Sequence, residues 1–242
     1  MPLVKLDATS STNDFLKQLA KKQSLENFTV VTAENQTNGK GQMGTSWESQ
    51  PGKNLIFSVL MINPVSDLSK LFDINIYVSM AVFSTLVRLK IPQISIKWPN
   101  DIMSGNKKIG GILIENSIRA NGEIVSIAGI GLNVNQSDFE RLPNATSLLN
   151  LCKREFDRDV LLNSIIDTLR LNVQSTHIES SVLWNQYNQS IFKNGKPTTF
   201  QDRSGRPFMA VITHVGNDGL LNVKLEDGTS KAFNIKEIKM LY

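Results

Sequence analysis

The chain has 242 residues, a formal net charge of +4, 40% hydrophobic and 20% charged residues; this allows one large domain, or a medium one with a small appendage, and excludes extended disorder. The mild basic excess suits anionic ligands such as nucleoside phosphates but, without clustering, gives no case for nucleic acid. The single Cys152 excludes an internal disulfide framework and a multi-cysteine metal site.

The opening "MPLVKLDATSSTND" lacks a secretory pattern, which together with the lone cysteine fits a reducing cytoplasm. Good N-cap residues then precede Phe15, Leu16, Leu19 and Ala20 on one helical face, so a helix is expected to start near Ser11 to Asn13. "NFTVVTA" and "KNLIFSVLMI" read as buried strands joined by a polar, glycine-rich loop; the second is too short to span a bilayer, and no membrane partner is expected. Apolar residues from Leu71 to Leu89 recur at three and four, which predicts a long buried helix ended by Pro92. "ISIKWPND" is a short strand running into a turn, and "KKIGGILIENSIR" with "EIVSIAGIGLNVN" reads as a hairpin through "ANGE". Helical spacing returns over residues 157–188. The last stretch carries short strands between Ser-Gly, Asn-Asp-Gly and Asp-Gly turns, the texture of a small β-barrel. The pattern is an α+β domain over residues 1–190 with a small all-β domain over 191–242.

Gly39, Gly41 and Gly44 spell G-x-G-x-x-G after a strand, but "TSWESQPGKN" leads into another strand and not a helix. A dinucleotide turn seats the pyrophosphate on a helix N-terminus, so that reading fails here, and no Walker-type Lys-Ser/Thr follows either. Two readings stay open: a surface loop that needs glycine to turn, or an anion-binding concavity with Lys40 beside its amides. His177 and His214 lie outside every motif, which leaves a histidine-dependent triad or metal centre without support.

"STN" (Ser11–Asn13), the glycine loop, "KWPND" (Lys97–Asp101), "KKIGGILIE" (Lys107–Glu115) and "GIGLNVN" (Gly129–Asn135) follow one another in an order that resembles the biotin protein ligases, or biotin–[acetyl-CoA-carboxylase] ligases, of monofunctional type. The pairing of "KWPND" with "KIGGILIE" is its specific part, and the resemblance spans nearly the whole chain. It implies a mixed-sheet catalytic domain of the class II synthetase-like biotin/lipoate ligase type, with a small C-terminal Src-homology-3-like β-barrel. It further implies ATP with Mg²⁺, activation of biotin to biotinyl-5′-AMP, and transfer to a lysine of a biotin carboxyl carrier protein domain. Activating a carboxylate on ATP is mainly positioning and charge stabilisation, a chemistry that suits a chain whose motifs offer lysines and glycines rather than Cys or His.

By this resemblance Lys108 contacts the biotin carboxylate and the α-phosphate, with Lys40 and Asp101 as further catalytic groups. Asp101 is otherwise a turn former; the resemblance makes it a holder of Mg²⁺ or of the attacking amine. Ser11, Thr12, Asn13 and Gln36 are helix caps and loop polars on their own; by resemblance all four bind biotin, with Ser11, Thr12 and Gln36 hydrogen-bonding its ureido ring. Gly39, Gly111, Gly129 and Trp47 would wall the rest of biotin, Trp47 being equally a core residue. Lys40, Gln42, Asn100 and Asn133 would face the nucleotide.

Many members carry G-R-G-R-x-G-R where this chain has Gly39-Lys40-Gly41-Gln42-Met43-Gly44-Thr45, so arginine forks are missing and a looser hold on the acyl-adenylate is expected. Some relatives carry an N-terminal DNA-binding domain; with ten residues before Ser11, no DNA partner is expected. A homodimer through sheet edges is left open by the resemblance. A lipoate or octanoate ligase of related fold and a non-catalytic biotin or nucleotide sensor are the alternatives.

Overall fold

The computed structural model describes residues 2–175 and 177–242; the side chains of Met43, His177 and Ile178 lie outside the described residues. Seven strands form one mixed sheet: β1 (Leu3–Thr9), β2 (Val30–Gln36), β3 (Leu55–Ile62), β4 (Ile94–Lys97), β5 (Asp101–Ser104), β6 (Lys107–Ile118) and β7 (Ile124–Leu132). Their order is β1-β2-β3-β7-β6-β5-β4, with β1 and β2 parallel and every other ladder antiparallel.

The two faces of this sheet are dressed differently. Helix α1 (Thr12–Lys22), capped by Ser11, seals a small cluster of Leu16, Val31, Leu60, Val125 and Ile127 on one face. On the other face α2 (Leu71–Arg88) packs with α4 (Arg158–Val173) and α5 (His177–Gln189) over the main core; a one-turn helix, α3 (Leu148–Cys152), precedes α4. With its preceding 3₁₀ turn, α2 is long and apolar enough to cross a bilayer by composition, and it is instead the buried central helix of this core. Strand β3, "LIFSVLMI", is buried on both faces, as a central strand between two helix layers must be.

Strands β8 (Pro197–Asp202), β9 (Pro207–Val215), β10 (Leu221–Leu225), β11 (Ser230–Phe233) and β12 (Ile238–Leu241) make an antiparallel sheet with β11 and β12 at its two ends. It fits the small Src-homology-3-like unit expected from sequence. The linking residues cover the β4 edge: Ile96 N–H donates to Ser190 O and Phe192 N–H to Ile96 O, both at 2.8 Å. Trp98 Nε1 donates to Gly219 O at 3.0 Å, tying the "KWPND" turn to the second sheet.

The hairpin, the long helix and the β-loop-β setting of the glycines appear as expected. Three elements were not read from sequence: β1, β5 and α3. Asp101, expected inside a turn, opens β5 instead; Trp98, Pro99 and Asn100 make the turn alone, because Lys97 and Asp101 are register partners.

Candidate functional site

A cavity of about 380 Å³ opens on the α1 face, and its floor is a row of register partners across five strands. Ile56, Gly131, Gly111, Asp101 and Lys97 stand side by side from β3 to β4, and Ser58, Gly129 and Leu113 form the neighbouring row. Partners in register share a face. Three glycines in adjacent strands therefore leave a trough where side chains would stand, walled by Ile56 on one side and by Asp101 and Lys97 on the other.

Two of these glycines are required by what lies over them. A Cβ at Gly129 would collide with Asn13 Oδ1, and one at Gly131 with the Trp47 ring. Gly111 faces both Trp47 and Lys108 at ordinary contact distance. Trp47 is thus a wall of the cavity rather than a core residue, half-buried over the trough, with its indole N–H unpartnered among the described residues.

Strict alternation from Gly111 would turn Lys108 towards the core helices. A bulge prevents this: Ile102 pairs with Gly110 but Met103 with Lys108, so Ile109 is the extra residue on β6. Ile109 is fully buried in the main core, and Lys108 is re-aimed into the cavity. Its backbone is held by the strap ahead of α3, donating to Asn144 O at 2.8 Å and accepting from Thr146 N–H at 2.9 Å.

At one end Lys108 Nζ lies 2.6 Å from Asp101 Oδ1, and Lys97 Nζ lies 3.3 Å from Asp101 Oδ2. From the glycine loop Lys40 Nζ reaches over to α1 and pairs with Asp14 Oδ2 at 2.6 Å, and this hydrogen bond holds the Lys40 pKa above its ordinary value. Lys40 is therefore cationic throughout the neutral range. At the other end Gln36 Oε1 accepts from Thr12 N–H at 2.7 Å, while Ser11 Oγ caps α1 through Asp14 N–H.

Ser11, Thr12, Asn13, Gln36, Lys40, Gln42, Trp47, Asn100, Asp101, Lys108, Gly111 and Gly129 all line this cavity. Two expected residues do not. Gly39 turns the loop, accepting from Trp47 N–H at 2.9 Å, with Trp47 O and Gln36 Nε2 packed where a Cβ would go. Asn133 donates to Thr146 O at 3.1 Å and lines a smaller adjoining cavity of about 170 Å³ behind Trp47 and Lys108. The glycine loop is itself folded: Lys40 and Ser46 form a bridge, and Gly41 N–H is spent on Thr45 O at 2.7 Å. Asn100 binds both ways to the Ile112 backbone, its Nδ2 donating at 2.8 Å and its carbonyl accepting at 3.0 Å.

Four of the contributors that sequence reasoning missed show why it missed them. Lys97 was legible in principle, four residues before Asp101 in "KWPND". Ser58 is a lone hydroxyl in an apolar strand, a signal that a buried polar partner is waiting. Ile235 and Lys239 reach the cavity from the second sheet, and no local pattern announces them. Among the described residues no group of three or more His, Cys, Asp or Glu gathers as a metal site. Asp101 has both oxygens engaged by lysines, so these residues do not by themselves make a place for Mg²⁺.

Residues 6–135, over half of the chain, match the Biotin/lipoate A/B protein ligase family. The chain is 30% identical over 240 residues to the bifunctional ligase/repressor BirA of Bacillus subtilis, covering 96% of this chain and 72% of that one. It is 26% identical to the biotin–[acetyl-CoA-carboxylase] ligase of Mycobacterium tuberculosis, over 88% of this chain and 79% of that one. In fold it is similar to the biotin protein ligase from Aquifex aeolicus in complex with biotin and ATP, with a TM-score of 0.81, 24% identity, and coverage of 99% and 98% of the two chains.

Proposed function

The chain belongs to the Biotin/lipoate A/B protein ligase family, and on that premise we propose that it is a biotin–[biotin carboxyl carrier protein] ligase. A biotin carboxylate oxygen attacks the α-phosphorus of ATP, the bond to the β-phosphate breaks, and pyrophosphate leaves. The neutral amine of a carrier lysine then attacks the acyl carbon of biotinyl-5′-AMP; AMP departs and the amine loses a proton. The relatives named above, a ligase for acetyl-CoA carboxylase among them, support both steps.

The observation that carries this reading is the polarity of the one trough. Buried hydroxyl and amide groups stand at the α1 end, a glycine floor under Trp47 fills the middle, and Lys108, Lys97 and Lys239 gather at the far end, while Lys40 reaches in from the glycine loop, paired with Asp14 of α1. A ring with paired donors and acceptors, an apolar chain and a terminal carboxylate fit that sequence in order. Lys108, re-aimed by the bulge, is the group we place between the carboxylate and the α-phosphate. Lys40 and Gln42 would face the phosphates from the loop, with Asn100 holding the opposite wall through Ile112. A divalent cation would have to arrive with the triphosphate, since Asp101 alone is a poor cage.

The test is pyrophosphate release by the purified chain with ATP and each of biotin, lipoate and octanoate. Release with biotin is expected; release with lipoate or octanoate alone would instead make it a ligase for those acids, and binding without release would make it a sensor.

A further inference from the structure

Behind the polar end of the trough, contacts run in a line through Glu115, Asn13, Ser58, Thr12 and Gln36. Asn13, Ser58 and Thr12 are 2%, 0% and 3% exposed, so each proton in the line has to be accounted for. Glu115 is a carboxylate and only accepts; the Asn13 atom 3.0 Å from its Oε2 is therefore Nδ2, and Asn13 Oδ1 faces Ser58 Oγ at 2.6 Å. Ser58 Oγ is also 2.7 Å from Thr12 Oγ1, which in turn is 3.1 Å from Gln36 Oε1.

Three oxygen–oxygen contacts thus share two hydroxyl protons. Asn13 Oδ1 cannot donate, so the Ser58 proton points to it. The 2.7 Å contact to Ser58 then takes the Thr12 proton. The longest contact, to Gln36 Oε1, goes without one; that oxygen is satisfied by the Thr12 backbone N–H at 2.7 Å.

We propose that Glu115 is a positioning residue that sets the direction of this line, leaving Thr12 Oγ1 an acceptor beside Gln36, whose Oε1 is held by the Thr12 N–H so that its Nε2 is the donor of that amide. Turning Asn13 over would supply the third proton but would set Oδ1 against the Glu115 carboxylate, so the line runs one way. An adjacent acceptor and donor match the N–H and C=O of a cyclic urea. An acyl chain ending in a dithiolane or a methyl group offers neither, and leaves both groups unpaired. Glu115 thereby contributes to choosing among acids while standing behind the cavity wall. This inference rests on the biotin reading of the preceding subsection.

Glu115→Gln keeps the shape and lets Asn13 turn over. In biotin-dependent pyrophosphate exchange, the biotin KM should rise about tenfold, while kcat and the ATP KM stay within about twofold. Ser58→Ala, which removes the relaying hydroxyl, should do the same and be non-additive with Glu115→Gln. In a Thr12→Val background the effect of Glu115→Gln should shrink below about twofold, because Thr12 is the atom through which it acts. Lys17→Ala removes only the exposed partner of Glu115, 2.7 Å away, and should leave the biotin KM unchanged. An unaltered biotin KM in Glu115→Gln, or a loss that persists in full on Thr12→Val, would overturn the proposal. Failure of the biotin reading shows in the wild type, as no biotin-dependent exchange; failure of this proposal shows only in the variants.

Discussion

The two ends of the trough are built on opposite principles. At the α1 end the polar groups are buried and paired: Ser11 caps the helix through Asp14 N–H, and Ser58 holds Thr12 and Asn13 from the sheet. At the other end the charged groups are paired through one carboxylate, Lys108 and Lys97 both on Asp101, while Lys40 from the glycine loop pairs with Asp14 of α1. Ordered buried networks read a ligand by shape and polarity, because each unpaired group costs about 1 to 3 kcal/mol. An open ion pair such as Lys40–Asp14 contributes only about 0 to 1 kcal/mol and is easily exchanged for an incoming phosphate, whereas Asp101 is more enclosed and anchors both of its lysines. The difference suits the first end to recognition and the second to charge handling, in line with the proposed function.

Lys108→Ala tests the charged end most severely. If this lysine stabilises charge developing between carboxylate and α-phosphate, adenylate formation should fall at least about a thousandfold. The thermal midpoint should stay put, since Lys108 is held in place by its backbone; turnover near that of the wild type would remove Lys108 from the chemistry. Gly129→Ala breaks the other end. Its methyl group would strike Asn13 Oδ1, so the biotin KM should rise by about one to two orders of magnitude with a loss of roughly 1 to 3 kcal/mol in stability, read by denaturant unfolding. An ATP KM that rose equally would mean that the two ends are not separable.

The same contrast explains what could be seen in the sequence. The α1 start, β3, α2 and the β6–β7 hairpin were legible because caps, apolar periodicity and Asn-Gly turns act locally. The glycines at 111, 129 and 131 stood in plain sight, yet their purpose depends on Asn13 and Trp47 arriving from distant segments. Gly129 was expected to touch ligand; the structure adds that it makes room for Asn13. The bulge at Ile109 is hidden because it exists only in the pairing of β5 with β6, and β5, a four-residue strand following a turn, carries too little pattern to read. Lys239 and Ile235 were invisible for a third reason, since they depend on how the second sheet sits against the first. Motif order placed the site; register built it.

Asp101→Asn should have an intermediate effect confined to the charged end. With the carboxylate gone, Lys108 and Lys97 repel one another and lose their common anchor. The kcat for adenylate formation should fall about tenfold, a loss of roughly 1.4 kcal/mol, while the biotin KM stays within about twofold. A change in the biotin KM as large as that in kcat would show Asp101 shaping the recognition end as well.

The smallest effect expected concerns Gln42, which lines the trough from the glycine loop without a side-chain partner among the described residues. The loop does not offer its amides freely, because Gly41 N–H is already bound to Thr45 O. Charge there comes from Lys40, which is paired with Asp14 and keeps two further N–H donors for a phosphate. Gln42→Arg would add a guanidinium that can bind phosphate through two parallel hydrogen bonds. Its site is half-exposed, so the gain should be about 1 kcal/mol, which is roughly a fivefold slower release of biotinyl-5′-AMP. Adenylate formation itself should change little, because Lys108, the group proposed for that step, stands on the sheet and not on the loop. An unchanged off-rate would mean that the loop's backbone path, and not its missing arginine, governs retention of the intermediate.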